Sequence, residues 1–118
     1  MTNHTRAVAE AFSGHRFADA YDHLAPAVRW VLRGEETTEG KDDVIAVCEQ
    51  TLTELTNVTT EFTRFVVAAD DDTAAVDATG RYTGPDGTTS VVSSCDIFEF
   101  HEGQVVRITS YAVEEEAR

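Results

Sequence analysis

The stretch TAAVDATGRYTGPDGTTSVVSSCDIFEFHEGQVVRITSYAV, residues 73–113, decides the architecture. It is rich in β-branched residues and alternates with a period of two, as half-buried strands do. Two breaks punctuate it, Gly84-Pro85-Asp86-Gly87 and His101-Glu102-Gly103, both built from turn-forming residues. The pattern predicts strands over Thr73–Thr83, Thr88–Phe100 and Gln104–Val113. Upstream, Val58–Ala69 has the same character and reaches Thr73 through the turn Asp70-Asp71-Asp72. Long strands joined by such short turns pair as antiparallel hairpins and must bury one face.

The cover for that face lies toward the N-terminus. Between Thr5 and Leu24 the residues Val8, Ala11, Phe12, Phe17, Ala20, Tyr21 and Leu24 recur at helical spacing. Gly14 breaks this stretch into two pieces and Pro26 ends it. Val28–Arg33 reads as a short strand and the polar stretch Gly34–Gly40 as a loop. A second helix opens at Lys41-Asp42-Asp43, with acids where the helix dipole favours them, and runs to about Leu55. Its inward stripe is Val44, Val47, Cys48, Thr51 and Leu55. The tail Glu114–Arg118 is expected to fray. Helices followed by hairpins make an α+β fold, here one domain over residues 1–118. A sheet curling around so few helices is cone-shaped and leaves a blind hollow suited to a small ligand.

Composition narrows the partners. Asp and Glu number 22 against 9 Lys and Arg, for a net charge of -13, and Lys41 is the single lysine. Such a field repels nucleic acid and anionic membrane surfaces, so neither is an expected partner. It fits either a salt-adapted protein or simply a very soluble one. No apolar run is long enough to span a bilayer, and residues 1–10 show no secretory pattern, so a cytoplasmic location is expected. Cys48 and Cys95 sit among apolar and small residues and read as buried reduced thiols. His4, His15, His23 and His101 show no metal-ligand spacing, and no glycine loop cradles a phosphate, so neither a metal nor a cofactor is expected.

The segment Phe17-Ala18-Asp19-Ala20-Tyr21-Asp22-His23-Leu24-Ala25-Pro26, followed by Val28-Arg29-Trp30, resembles the entry of the nuclear-transport-factor-2-like superfamily, in particular its SnoaL-like members. Gly40-Lys41-Asp42-Asp43-Val44 is similar to that family's start of the next helix, and Cys95 to Tyr111 to its final hairpin. The resemblance implies a curved antiparallel sheet packed against N-terminal helices, a cystatin-like roll, and a homodimer formed through the outer sheet face. It implies no single activity, since the superfamily holds isomerases, epoxide hydrolases, dehydratases, cyclases and non-catalytic binders.

The residues speak against several of those chemistries. At the positions that resemble the ketosteroid-isomerase triad, Asp96 matches the third-strand acid, but Trp30-Val31-Leu32 offers no base and Val8 no tyrosine. The epoxide-hydrolase pattern would need an arginine at Ala75 and an acid at Ser110. The cyclase base would also fall at Ser110, which is no base without a histidine.

Asp96 remains. Strand alternation puts it on the same face as Phe98 and Phe100, toward the hollow, with Val76, Ala78, Gly80 and Tyr82 on the next strand and Ile108, Ser110 and Ala112 on the last. A buried carboxyl must be paired, hydrogen-bonded or protonated. Asp96 is therefore the candidate catalytic acid or hydrogen-bond donor, with Trp30, Tyr82, Phe98, Ser110 and Tyr21 as candidate ligand-binding residues. The competing reading makes Asp96 a polar tie of the core, held by Ser or Thr hydroxyls, Tyr82 or Trp30. The expected functions are thus an enzyme acting on a small hydrophobic or carbonyl-bearing molecule, or a non-catalytic dimeric binding or protein-interaction module.

Overall fold

The computed structural model describes residues 2–115. Helix α1 (Thr2–Ser13) and the single turn α2 (Ala18–Tyr21) lead into β1 (Leu24–Leu32), β2 (Thr37–Glu39) and helix α3 (Lys41–Glu54). Then come β3 (Thr59–Ala69), β4 (Thr73–Thr83), β5 (Thr89–His101) and β6 (Gln104–Glu115). All these strands form one curved sheet in the order β2-β1-β6-β5-β4-β3. The α+β architecture and the three successive long hairpin pairings follow the alternation and turns of the sequence.

Four details differ from expectation, each for a physical reason. The sheet is mixed, because β1 lies parallel to β6, with Trp30 opposite Ile108 and Leu32 opposite Ser110. Hairpin logic pairs strands that are close in sequence and cannot see a partner so far along the chain. The segment Gly34–Gly40 is not all loop: Thr37–Glu39 forms the edge strand β2, joined to β1 by an Arg29–Glu39 ion pair of 3.0 Å. Three residues are too few to show a period, and an edge strand has no need to be apolar. Strand β1 starts at Leu24, so Pro26 lies inside it, in the stretch where pairing with β6 shifts register. A missing N–H is tolerated there. Finally, β6 runs on through Glu114 and Glu115, paired with Val92 and Val91, where fraying was expected; the rest of that tail, 116–118, lies outside the described residues.

Bulges bend β3 between Phe62 and Arg64 and interrupt the β5–β6 register between Glu99 and Phe100. The first explains why the inward residues of β3 change phase, from Phe62 to Phe65 and Val67. The core sits where α1 meets the middle of the sheet. Phe12 is its hub, with its ring edge-on to Phe17 (5.1 Å between centroids), Trp30 (5.1 Å) and Phe98 (5.6 Å). Val44 and Cys48 tie α3 to this core, and burial pushes the Cys48 thiol up to about 12, so it is an inert packing group. Cys95 is only half-buried, on the opposite parity from Asp96, which corrects the expectation that both thiols are buried.

Candidate functional site

The inward-facing side chains of the sheet shrink along the strands. On β5 they run from Phe98 to Asp96 and Ser94; on β6 from Ile108 to Ser110 and Ala112; on β4 from Val76 to Ala78 and Gly80. Where Phe98 and Ile108 stand, the interior is solid and both are fully buried. Where Ser94, Ala78 and Ala112 stand, a cavity of about 300 Å³ opens. Helix α3 forms one lip of it with Val47 and Thr51.

Asp96 sits at the boundary between the solid end and the hollow. Its Oδ2 accepts the Ser13 hydroxyl at 2.7 Å and its Oδ1 the Ser110 hydroxyl at 2.6 Å. Trp30 Nε1 donates to Ser110 Oγ at 2.9 Å. An indole N–H can only donate, so Ser110 Oγ accepts it, and the Ser110 hydroxyl donates in turn to Asp96, forming the relay Trp30→Ser110→Asp96. Asp96 is an acceptor in this network.

A second titratable group reaches the cavity from the end of α1. The helix closes with Arg16 N–H donating to Ala11 O at 2.8 Å and His15 N–H to Phe12 O at 3.2 Å, the paired bonds of a Schellman motif. His15 occupies the left-handed position of that motif, at φ 66, where glycine would be the cheap choice. The glycine stands one residue earlier. A Cβ on Gly14 would lie 2.8 Å from the Glu10 carbonyl oxygen, so that position admits no side chain. The left-handed turn directs the imidazole into the cavity, against Phe62 (5.4 Å), Phe17 (5.6 Å) and Tyr82 (6.1 Å). Burial holds the imidazole below its ordinary value, and the Asp96 charge pulls partly the other way. At neutral pH His15 is therefore uncharged and able to accept a proton.

Tyr82 completes the polar wall. Its ring folds back over Gly80, where an added Cβ would come within 2.9 Å of the ring and hydroxyl. Burial, and then the Asp96 charge, raises the phenol above its ordinary value, so it stays a hydroxyl donor.

Of the residues singled out from sequence, the fold brings Asp96, Trp30, Tyr82 and Ser110 to one cavity. Two do not belong to its lining. Phe98 is fully buried beneath it, packed on Phe12, because it is one step too deep along β5. Tyr21 points away from the cavity and donates its hydroxyl to Glu49 Oε2 on α3 at 2.6 Å; its phenol is held far above the ordinary range by burial and by that bond. Conversely, His15 and Ser13 were not singled out. The sequence marked their place only as a bend at Gly14; the pattern Ser13-Gly14-His15 was the available sign of a helix ending that turns a side chain back inward. Among the described residues no cluster of His, Cys, Asp or Glu is arranged to hold a metal, and no helix is long and apolar enough to cross a membrane.

Comparison with known proteins places this geometry. The chain superposes on an NTF2-like protein of unknown function from Cytophaga hutchinsonii with a TM-score of 0.83 and 26% identity, covering 96% of this chain and 99% of that one. A provisionally named SnoaL-like polyketide cyclase from Jannaschia sp. matches with a TM-score of 0.73 and 15% identity, over 94% and 86% of the two chains. A provisionally named ketosteroid isomerase from Kribbella flavida matches with a TM-score of 0.69 and 24% identity, over 99% and 83%. The latter two are similar in fold alone. No curated protein matches in sequence. The SnoaL-like domain profile matches residues 5–108, nearly the whole chain. The chain belongs to the SnoaL-like domain family, within the NTF2-like fold.

Proposed function

We propose that this protein binds a compact, mostly apolar small molecule in the cavity under α3, oriented by the polar wall of Asp96, His15 and Tyr82. The observation that carries this reading is the Trp30→Ser110→Asp96 relay opening onto a hollow whose remaining lining is mostly apolar, with Phe, Leu, Val and Ala side chains beside Thr51 and Ser94. Apolar cavities with a few convergent polar groups are the usual form of ligand sites. The chemistry on offer is proton transfer. His15 is the acceptor, Asp96 stabilises the imidazolium once it forms, and Tyr82 donates to an oxygen that gains charge. The polyketide cyclase and isomerase names of the structural neighbours are compatible with this class and do not select within it.

The test is a thermal-shift screen of small terpenoid, aromatic and acyl compounds against the wild type and Ala112→Phe, which fills the hollow. Cavity ligands raise the wild-type midpoint and leave the variant unmoved. Compounds that stabilise both equally bind elsewhere, and a screen yielding only those refutes the reading.

A second reading, a non-catalytic dimeric binder, rests on two observations. Both Asp96 oxygens are already engaged by serine hydroxyls, as in a structural tie. On the outer face of β6, Tyr111 and Val113 are 46% and 63% exposed, a surface that a second copy would cover. A sedimentation experiment returning a monomer at high protein concentration counts against it.

A further inference from the structure

The cavity has a charge imbalance that bears on what it holds. Asp96 brings a carboxylate to its wall, yet among the described residues that line it there is no Lys or Arg. Five arginines are engaged elsewhere. Arg29, Arg64 and Arg107 pair with Glu39, Asp77 and Glu99 along the strands, Arg16 pairs with Asp19, and Arg33 lies over the Tyr111 ring. The hydroxyls of Ser13 and Ser110 satisfy one lone pair on each oxygen of Asp96 but supply no positive charge. A carboxylate has about four acceptor sites, so these two hydroxyls leave it capacity for more, and the residue lines the hollow. Around it stand the rings of Phe12, Phe17, Trp30, Phe62 and Tyr82, whose faces attract cations.

We infer that the preferred occupant is a small organic cation: a protonated amine on a compact apolar or aromatic body, with its ammonium at Asp96 and its body against the rings. This rests on the small-molecule reading above and sets the charge of the molecule within it. The protein's net charge of -13 raises the local concentration of such a ligand and repels its anionic counterparts. A neutral isostere keeps the ring contacts and loses the ion pair. An anion loses both the pair and the approach.

Trp30 is the only tryptophan of the chain and lines the cavity, so its emission reports occupancy of this site and not attraction to the acidic surface. The experiment titrates the protein at pH 7.5 with 2-phenylethylamine, 2-phenylethanol and phenylacetate, following Trp30 emission. The expected order is amine, alcohol, acid, with the amine at least tenfold tighter than the alcohol. In Asp96→Asn, checked for folding by circular dichroism, that advantage shrinks to within about twofold while alcohol binding persists. If that variant does not fold, the wild-type order alone decides. An alcohol that binds as tightly as the amine, or an amine preference that survives Asp96→Asn, overturns the inference and leaves the small-molecule site standing. Failure of all three to change Trp30 emission overturns the inference, and the thermal-shift screen then decides the cavity reading separately.

Discussion

The two ends of the cone are made from the same strands with the same alternation, yet one is a core and the other a cavity. At the solid end Phe98, Ile108, Leu24 and Val105 fill the space between α1 and the sheet. Two to four residues further along β4, β5 and β6, the inward positions hold Ala78, Gly80, Ser94 and Ala112, and the space stays open. Backbone geometry is common to both ends; side-chain volume decides which becomes a site. Asp96 and Ser110 stand at the seam, paired directly across β5 and β6, and mark where packing gives way to hydrogen bonding.

This contrast can be broken most forcefully at the solid end. Phe98→Ala removes a fully buried ring that packs on Phe12, and should cost about 3–5 kcal/mol, read as a fall in the urea midpoint at constant slope. At the open end Ala112→Phe should change stability by less than about 0.5 kcal/mol, as substitutions away from packed features do. Comparable losses at the two positions would mean that the hollow is filled in solution. Next in size is the seam. Asp96→Ala leaves two serine hydroxyls without their acceptor and loosens the Trp30 relay, for a loss of about 1–3 kcal/mol. The loss in Asp96→Asn should be smaller, because the amide oxygen can still accept one hydroxyl.

The pH dependence sharpens the comparison most, because it concerns a residue of the open end alone. The folded-state value of His15 lies below its ordinary value of 6.5, so between the two the unfolded chain binds more protons than the folded one. Stability from this group is complete above pH 6.5 and is lost as pH falls toward the depressed value. His15→Gly should flatten that part of the wild-type stability curve. At pH 7.5 the same variant should stay within about 1 kcal/mol of wild type, since relief of left-handed strain offsets the lost ring contacts. Ligand-induced thermal shifts should meanwhile fall. A parallel slope in wild type and variant would show that His15 is solvated and outside the cavity.

The sequence carried the strands, the turns and the inward parity of Asp96, Tyr82 and Ser110, because period-two alternation and Gly84-Pro85-Asp86-Gly87 are local signals. It also carried the candidate partners of Asp96, Ser or Thr hydroxyls, Tyr82 or Trp30; the structure gives it two serine hydroxyls, with Trp30 one bond further back on Ser110. What it did not carry was non-local or conformational. The parallel β1–β6 pair joins residues about eighty positions apart. Tyr21 and Phe98 shared the right helical and strand periodicities, but depth along the cone is a property of neighbouring elements, not of period. The sequence places His15 only in a bend and without metal-ligand spacing, because its direction follows from one positive φ at the end of α1. Helical spacing gives no sign of it.

The place of β6 between β1 and β5 has a consequence for how the chain comes to exist. During synthesis β1 and β5 both emerge with a bare hydrogen-bonding edge, and each waits for the strand that joins them. Until residues 104–115 leave the ribosome, Trp30 has no Ser110 to donate to and Asp96 has lost one of its two hydroxyls. Nascent chains stalled before β6 should therefore be the aggregation-prone species, with two more open edges than the finished sheet.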